Sequence, residues 1–158
     1  KVLQKVSKME HSRLLVVFFV FLGVANMASS SNFGNFGNLG RECMEGSKAS
    51  RDQRNKIQDF DLAEPVDEEI MCFFKCMMTK FGIYDEGSKA VSSAAINQLF
   101  QDLGVSAPEG LGAKAASPTD GTCGAVFKAM IGAMADKLGD FKKGYMAKLN
   151  EEFKLRHE

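Results

Sequence analysis

Residues 64–82 decide the fold and read Glu64-Pro-Val-Asp-Glu-Glu-Ile-Met-Cys72-Phe-Phe-Lys-Cys76-Met-Met-Thr-Lys-Phe81-Gly82. Pro65 suits the first position of a helix, the acidic residues suit the positive end of the helix dipole, and Gly82 suits the end of the helix. Cys72 and Cys76 are four residues apart and therefore share one helix face. A bond between them would be strained, whereas each can reach a cysteine on another helix. The stretch predicts a central helix to which other helices are covalently tied.

Two further cysteines can pair with this helix, Cys43 upstream and Cys123 downstream. Four cysteines allow three sets of pairings, and excluding the bond between Cys72 and Cys76 leaves two of them. Either Cys43 pairs with Cys76 and Cys72 with Cys123, or Cys43 pairs with Cys72 and Cys76 with Cys123. The spacing of the cysteines leaves both arrangements open.

The N-terminal residues indicate a secreted protein. Residues 9–28 are interpreted as a signal peptide, because Arg13 precedes an apolar run at residues 14–25 and small residues follow it. The run is too short to span a bilayer. Residues 1–8 are interpreted as a leader upstream of the natural start. Secretion would place the cysteines in an oxidising compartment, which favours disulfides over free thiols or zinc.

Basic residues do not outnumber acidic ones in this sequence. The chain has 20 of each, and removing residues 1–25 takes away four basic residues and one acidic residue, which leaves 16 and 19. Nucleic-acid binding and adsorption to anionic membranes need a concentrated basic face, so neither is predicted. Past residue 25 the chain has one histidine, His157, and no Gly-x-Ser-x-Gly motif. We therefore predict no catalytic residue, no metal site, no cofactor and no enzyme.

Hydrophobic periodicity predicts an all-α fold, a compact bundle of about five to six helices. A short exposed helix is predicted to begin near Ser50, and an apolar stripe predicts another helix within residues 88–103. The stretch 104–122 contains prolines and glycines and is predicted to be a loop or a weak helix. A further helix is predicted at 123–138, and Asp140 is the predicted cap of the last one.

Residues 29–42 are rich in glycine and asparagine and contain the quasi-repeat Asn-Phe-Gly-Asn-Phe-Gly-Asn-Leu-Gly. This composition disfavours a helix, and the stretch would be close to the terminus of the mature chain, so we predict a mobile arm. One helical domain is predicted to follow at residues 43–158, because a chain of this length suffices for a single core.

Three cysteine motifs carry a family resemblance. They are Cys43-Met-Glu-Gly-Ser, then Cys72-Phe-Phe-Lys-Cys76-Met-Met-Thr-Lys-Phe-Gly-Ile-Tyr-Asp-Glu-Gly, and Thr119-Asp-Gly-Thr-Cys123. Together they resemble the insect odorant-binding proteins, which include the pheromone-binding proteins, from about Cys43 to Leu138. The resemblance implies a bundle of helices around an apolar cavity, cross-linked by disulfides.

The resemblance also implies a disulfide pairing. The family has six cysteines, bonded first to third, second to fifth and fourth to sixth, and this chain matches the first, second, third and fifth. The implied bridges are 43–76 and 72–123, which makes the chain a four-cysteine variant. The absent fourth and sixth cysteines would fall near Lys114 and Gly132 and belong to one bridge. Family members usually have a full helix before the first cysteine, where this chain has the predicted arm.

The resemblance implies a secreted carrier of odorants, pheromones or lipid-like molecules in sensillar lymph or haemolymph. Its implied partners are a small hydrophobic ligand, a chemosensory receptor and a second copy of the chain. No nucleic-acid partner and no stable insertion into a membrane are predicted. The alternative is a secreted interaction or defence protein without a closed ligand cavity.

Methionines and phenylalanines on the predicted helix faces are the candidate ligand contacts, because soft apolar side chains can line an adaptable site. Ordinary core packing explains the same apolar faces. Tyr84 and Tyr145 are candidate polar anchors for a ligand hydroxyl or carbonyl. The candidate contacts are Phe74, Met77, Met78, Phe81, Phe100, Phe127, Met130, Ile131 and Met134.

Overall fold

The computed structural model describes residues 36–115 and 118–155 of the 158-residue chain. The predicted signal peptide at residues 9–28 and residues 29–35 of the predicted arm lie outside the described residues. Within those described, six α-helices have eight residues or more, one helix is shorter, and two strands form a small ladder. The same part of the chain contains no helix that is both long and apolar enough to cross a membrane. The predicted all-α fold is confirmed.

The helices follow one another with short connections. They are α1 (Phe36–Gly46), α2 (Arg51–Gln58), α3 (Glu68–Lys80), α4 (Ser93–Asp102), α5 (Leu111–Ala115), α6 (Cys123–Met134) and α7 (Leu138–Leu155). Between α3 and α4, β1 (Tyr84–Asp85) pairs antiparallel with β2 (Ala90–Val91), Tyr84 opposite Val91. A 3₁₀ turn at Ala135–Lys137 joins α6 to α7.

Side-chain caps fix the beginnings of three helices. At α2 the Ser50 hydroxyl accepts a hydrogen bond from the Gln53 backbone N–H, and the Gln53 side chain accepts one from the Ser50 N–H. This reciprocal pair confirms the helix predicted to begin near Ser50. The hydroxyls of Ser92 and Thr122 accept backbone N–H groups in the first turns of α4 and α6, at 3.2 Å each. Each cap satisfies a donor that the helix itself leaves unpaired.

Two predicted helix starts differ from the structure. The central helix α3 begins at Glu68, so Pro65 lies before the helix and not at its first position. Asp67 is its N-cap residue, and the Asp67 carboxylate faces the Lys56 ammonium at 3.4 Å. Asp140 lies inside the first turn of α7, because that helix begins at Leu138, directly after the 3₁₀ turn.

The predicted arm is corrected over residues 36–42, which form the first part of α1. Phe36 is buried, with its ring centroid 5.5 Å from that of Phe81 and 5.1 Å from that of Tyr145. Burial of an aromatic ring contributes about 2 kcal/mol or more, which offsets the low helix propensity of the nearby glycines and asparagine. The chain therefore has helix before Cys43.

Both disulfides implied by the resemblance are present. The Cys43–Cys76 bond joins α1 to α3, and the Cys72–Cys123 bond joins α3 to α6. The helix α3 also supplies five buried side chains to the core, so its predicted central position is confirmed. They are Ile70, Phe73, Phe74, Met77 and Met78.

An ion pair lies near the position of the family bridge that this chain lacks. Lys114 of α5 pairs with Asp136 in the turn after α6, and Asp136 is four residues beyond Gly132. The hydrogen bond and charge of the Lys114 ammonium lower the pKa of the Asp136 carboxyl. Both side chains are solvent-accessible, and pairs of this kind contribute little to stability. The contact orients α5 without replacing a covalent link.

The last helix lies against the end of α2 and the loop after α4. A Cβ added at Gly144 would lie 3.1 Å from the Leu103 Cβ and 3.2 Å from the Leu103 carbonyl oxygen. Only a glycine permits so close an approach without movement of the neighbouring backbone. The Lys142 ammonium donates to the Phe60 carbonyl at 3.4 Å. These contacts fix the position of the next residue, Tyr145.

Candidate functional site

A cavity of about 560 Å³, here called the outer cavity, lies between α1, α2, α3 and α7. Pockets for small organic ligands usually have volumes of about 300–1,000 Å³, so its size suits such a molecule. It is partly open to solvent. Its lining residues are Phe36, Gly37, Gly40, Arg41, Met44, Arg54, Ile57, Gln58, Asp59, Phe73, Tyr145, Met146 and Asn150.

The helix α1 supplies one wall of the outer cavity. Phe36, Gly40 and Met44 are spaced by four residues and therefore lie on one face of the helix. Gly40 has no side chain, and a Cβ built there would meet no atom within 4 Å. The glycine content that argued against a helix is thus one reason why the cavity has room.

The outer cavity has an apolar floor and a polar rim. Its floor includes the buried side chains of Phe36, Ile57 and Phe73. Arg41 and Arg54 are exposed at the rim, and the Arg54 Nε donates to the Ala49 carbonyl at 2.9 Å. Among the side chains that the structure describes, which exclude those of residues 149 and 151–155, no carboxylate lies within ion-pairing distance of either guanidinium. The rim therefore has cationic groups free to meet a polar ligand group.

Tyr145 is the predicted polar anchor that lies at the cavity. Its ring packs between Phe36 and Phe60, with centroids at 5.1 and 5.5 Å. Burial raises the pKa of its hydroxyl to about 12, so the hydroxyl stays a hydrogen-bond donor well into the alkaline range. This hydroxyl makes no hydrogen bond to a residue that the structure describes. Tyr84, the other candidate, lines neither cavity and lies under the Lys75 ammonium, 5.6 Å from its ring centroid.

Replacement of Tyr145 by phenylalanine is expected to reduce the loss of stability at alkaline pH. The folded protein holds this pKa near 12, above the 10.0 of an ordinary tyrosine. The unfolded chain therefore releases the proton at a lower pH than the folded protein. The contribution of Tyr145 to the free energy of unfolding is complete below about pH 10 and is lost as the pH rises towards about 12. At about pH 11 the loss in the wild type is about 1 kcal/mol larger than in Tyr145→Phe.

Denaturant unfolding of both proteins at about pH 8 and about pH 11 measures this difference. Comparison of the two proteins removes every other contribution to the pH dependence, because they differ only at residue 145. An identical pH dependence would contradict the desolvation of the Tyr145 side chain.

A second cavity, here called the inner cavity, has a volume of only about 40 Å³. Five of the nine predicted ligand contacts line it, namely Phe74, Met77, Met78, Phe81 and Met130. Its volume is far below that of pockets that hold organic ligands. Its other lining residues are Phe36, Phe73, Ile83, Leu99, Phe141 and Tyr145.

The other four predicted contacts line neither cavity. Phe100 and Met134 are fully buried, Phe127 packs on Phe74, and half-buried Ile131 packs against the core. Core packing accounts for these four positions. All nine stay predictions as ligand contacts. The prediction missed the outer-cavity residues of α1 and α2, and the four-residue spacing of Phe36, Gly40 and Met44 was the signal that could have revealed one wall.

The chain is a helical protein cross-linked by two disulfides, and sequence comparison identifies its family. The profile of the PBP/GOBP family matches residues 25–144, and the chain belongs to this family. Membership supports a secreted protein that binds small ligands.

The chain is also similar to two salivary proteins of Phlebotomus. It is 29% identical to a long form salivary protein of the D7 type from Phlebotomus duboscqi over 91 residues, which are 56% of this chain and 36% of the relative. It is 27% identical to a second long form salivary protein of that type, from Phlebotomus papatasi, over 94 residues, 60% and 37% of the two chains. The matched region thus spans little more than a third of these relatives.

A solved structure supports the fold. The native D7 protein from Phlebotomus duboscqi superposes with a TM-score of 0.56 and 26% sequence identity. The alignment covers 78% of this chain and 51% of that protein. The predicted resemblance to the odorant-binding proteins is confirmed at the level of family and fold.

Proposed function

We propose that the protein is a secreted carrier that binds small hydrophobic molecules in the outer cavity and transports them through an extracellular fluid. The outer cavity, with its apolar floor and open polar rim, is the observation that carries this proposal. An apolar chain placed on the floor would gain roughly 25 cal/mol for each Å² removed from water, before the cost of ordering. Broad selectivity among apolar chains follows, because area and shape govern such binding.

The rim of the outer cavity favours a ligand that also has a polar head. Arg41 and Arg54 can donate charge-assisted hydrogen bonds, and the Tyr145 hydroxyl can donate one more from the wall. Asp59 contributes one negative charge against these two positive charges. An amphiphile with an oxygen-bearing or acidic head and an apolar chain matches both parts of the cavity.

The proposed fluids are sensillar lymph and haemolymph, and saliva is added because the Phlebotomus relatives are named salivary proteins. A chemosensory receptor and a homodimer stay predictions, as do odorants, pheromones and lipids as particular ligands. A secreted interaction or defence protein without a ligand cavity is the alternative that the following experiment separates from a carrier.

Titration of the oxidised protein with an environment-sensitive apolar fluorophore is expected to show one saturable site of micromolar affinity. Long-chain alcohols, esters and fatty acids are expected to displace the fluorophore. Gly40→Phe is expected to weaken binding at least about tenfold, because the new ring occupies part of the outer cavity and displaces the ligand from it. Gly40 has no positive φ and has open space at its Cβ, so the backbone should accept the larger residue without strain.

Gly46→Phe is the matched control, since Gly46 is exposed on the same helix, lines neither cavity and has open space at its Cβ. Its affinity should equal that of the wild type. Absence of saturable binding by a folded protein with both disulfides would overturn the carrier and favour the interaction protein. Equal binding by Gly40→Phe and the wild type would place the site elsewhere.

A further inference from the structure

Three aromatic residues separate the two cavities. Phe36, Phe73 and Tyr145 line both the outer and the inner cavity and are the residues common to the two. We call them the aromatic partition. All three are buried, and the Phe36 ring meets the Tyr145 ring edge to face at 5.1 Å. An apolar chain that enters from the rim therefore ends against these rings.

The space behind the aromatic partition is suited to apolar chain atoms. The inner cavity has about 40 Å³ of free volume, and three of its walls are the methionines Met77, Met78 and Met130. Methionine is unbranched and changes rotamer readily, so these walls can move apart for a chain that reaches them. The partition, and not the chemistry of the inner cavity, keeps a ligand out.

Phe36 is the member of the partition that lies at a helix end, away from both disulfides. Phe73 is next to Cys72 on the doubly cross-linked α3, and Tyr145 also packs on Phe60 and Phe141. Phe36 is the first residue of α1, and its ring packs on the rings of Phe81 and Tyr145. Shortening this side chain would join the two cavities without touching a disulfide.

We propose that Phe36 sets the maximum length of the apolar chain that the protein binds. The proposal rests on the carrier function proposed above and adds a residue that determines specificity. In the wild type, each further methylene should strengthen binding about fourfold until the chain meets Phe36, after which the affinity stops rising or falls. In Phe36→Ala the rise should continue for two or more carbons, so the first alcohols beyond the wild-type limit should bind about tenfold or more tightly than they bind the wild type.

Displacement of the fluorophore by the straight-chain alcohols from octanol to octadecanol tests this inference. A neutral head group keeps the rim arginines from dominating the comparison. Phe36→Leu should move the length limit in the same direction by a smaller amount. This variant is used for the test if Phe36→Ala does not fold. Binding with an unchanged length limit in these variants would overturn the role of Phe36 and leave the carrier function standing.

Leu99→Ala is the control, because Leu99 lines the inner cavity, is not part of the partition and is not among the predicted ligand contacts. It enlarges the space behind Phe36, yet it should leave the length limit of the wild type unchanged. A longer limit in Leu99→Ala would show that chains already pass Phe36 and would overturn the inference. If the wild type binds no alcohol of the series and no fluorophore, the carrier function fails and this inference fails with it.

Discussion

Removal of the Cys43–Cys76 disulfide by joint replacement with alanine is expected to lower the free energy of unfolding by about 4 kcal/mol. The bonded residues are 33 apart in sequence, and the loss of loop-closure constraint in the unfolded chain gives this magnitude. The joint replacement of Cys72 and Cys123, which are 51 apart, should cost about the same. Urea unfolding of the three oxidised proteins measures both losses.

The two disulfide variants should differ in ligand binding although they lose similar stability. The Cys43–Cys76 bond holds α1, which supplies a wall of the outer cavity, whereas no outer-cavity residue comes from α6. Under conditions in which both variants are folded, fluorophore affinity should fall about tenfold or more in the first and remain near wild type in the second. An equal fall in the two would contradict the outer cavity as the site.

Phe60→Ala is expected to lower the free energy of unfolding by about 3–5 kcal/mol, the range for truncation of a buried phenylalanine. The Phe60 ring is 4% exposed. Its centroid lies 5.5–5.6 Å from those of Phe74, Phe141 and Tyr145, so it joins α3 to α7. Denaturant unfolding measures the loss, and a change below about 1 kcal/mol would contradict this central packing role.

Phe60→Gly is expected to be at least as stable as Phe60→Ala, which reverses the usual order. The backbone of Phe60 has φ of 50°, in the left-handed region that glycine adopts without steric cost. Phe100 is the control, since it is fully buried within α4, where alanine should be more stable than glycine by about 1 kcal/mol. If alanine were more stable than glycine at both positions, a backbone contribution at Phe60 would be ruled out.

The central helix could be predicted from the sequence because its signals are local. The acidic first turn, the apolar spacing and Gly82 all lie within residues 64–82. The first helix could not be predicted in the same way. Its glycines and asparagine argue against a helix. The helix is stabilised by contacts of the Phe36 ring with α7 and with Phe81, which are distant in sequence. Propensity is a weak guide where such tertiary contacts decide.

The candidate site was predicted less well than the fold, for a physical reason. An apolar stripe shows which side chains are buried. A side chain that lines a cavity and one that packs against another side chain have the same sequence pattern. Phe127 and Met134 accordingly belong to the packed core. Tyr84 and Tyr145 were both predicted as polar anchors because of their hydroxyls, and Tyr145 is the one that lines the outer cavity. The cavity depends on absent side chains, as at Gly40, and on helix placement.

The two disulfides interleave along the chain, and this order has a consequence for proteolysis. Cys72 lies within the loop closed by the Cys43–Cys76 bond, and Cys76 lies within the loop closed by the Cys72–Cys123 bond. A protease that cuts any one peptide bond between residues 43 and 123 therefore leaves two fragments joined by at least one bridge. The nicked protein stays in one piece until a reductant is added, and a single cut in this stretch releases no helix.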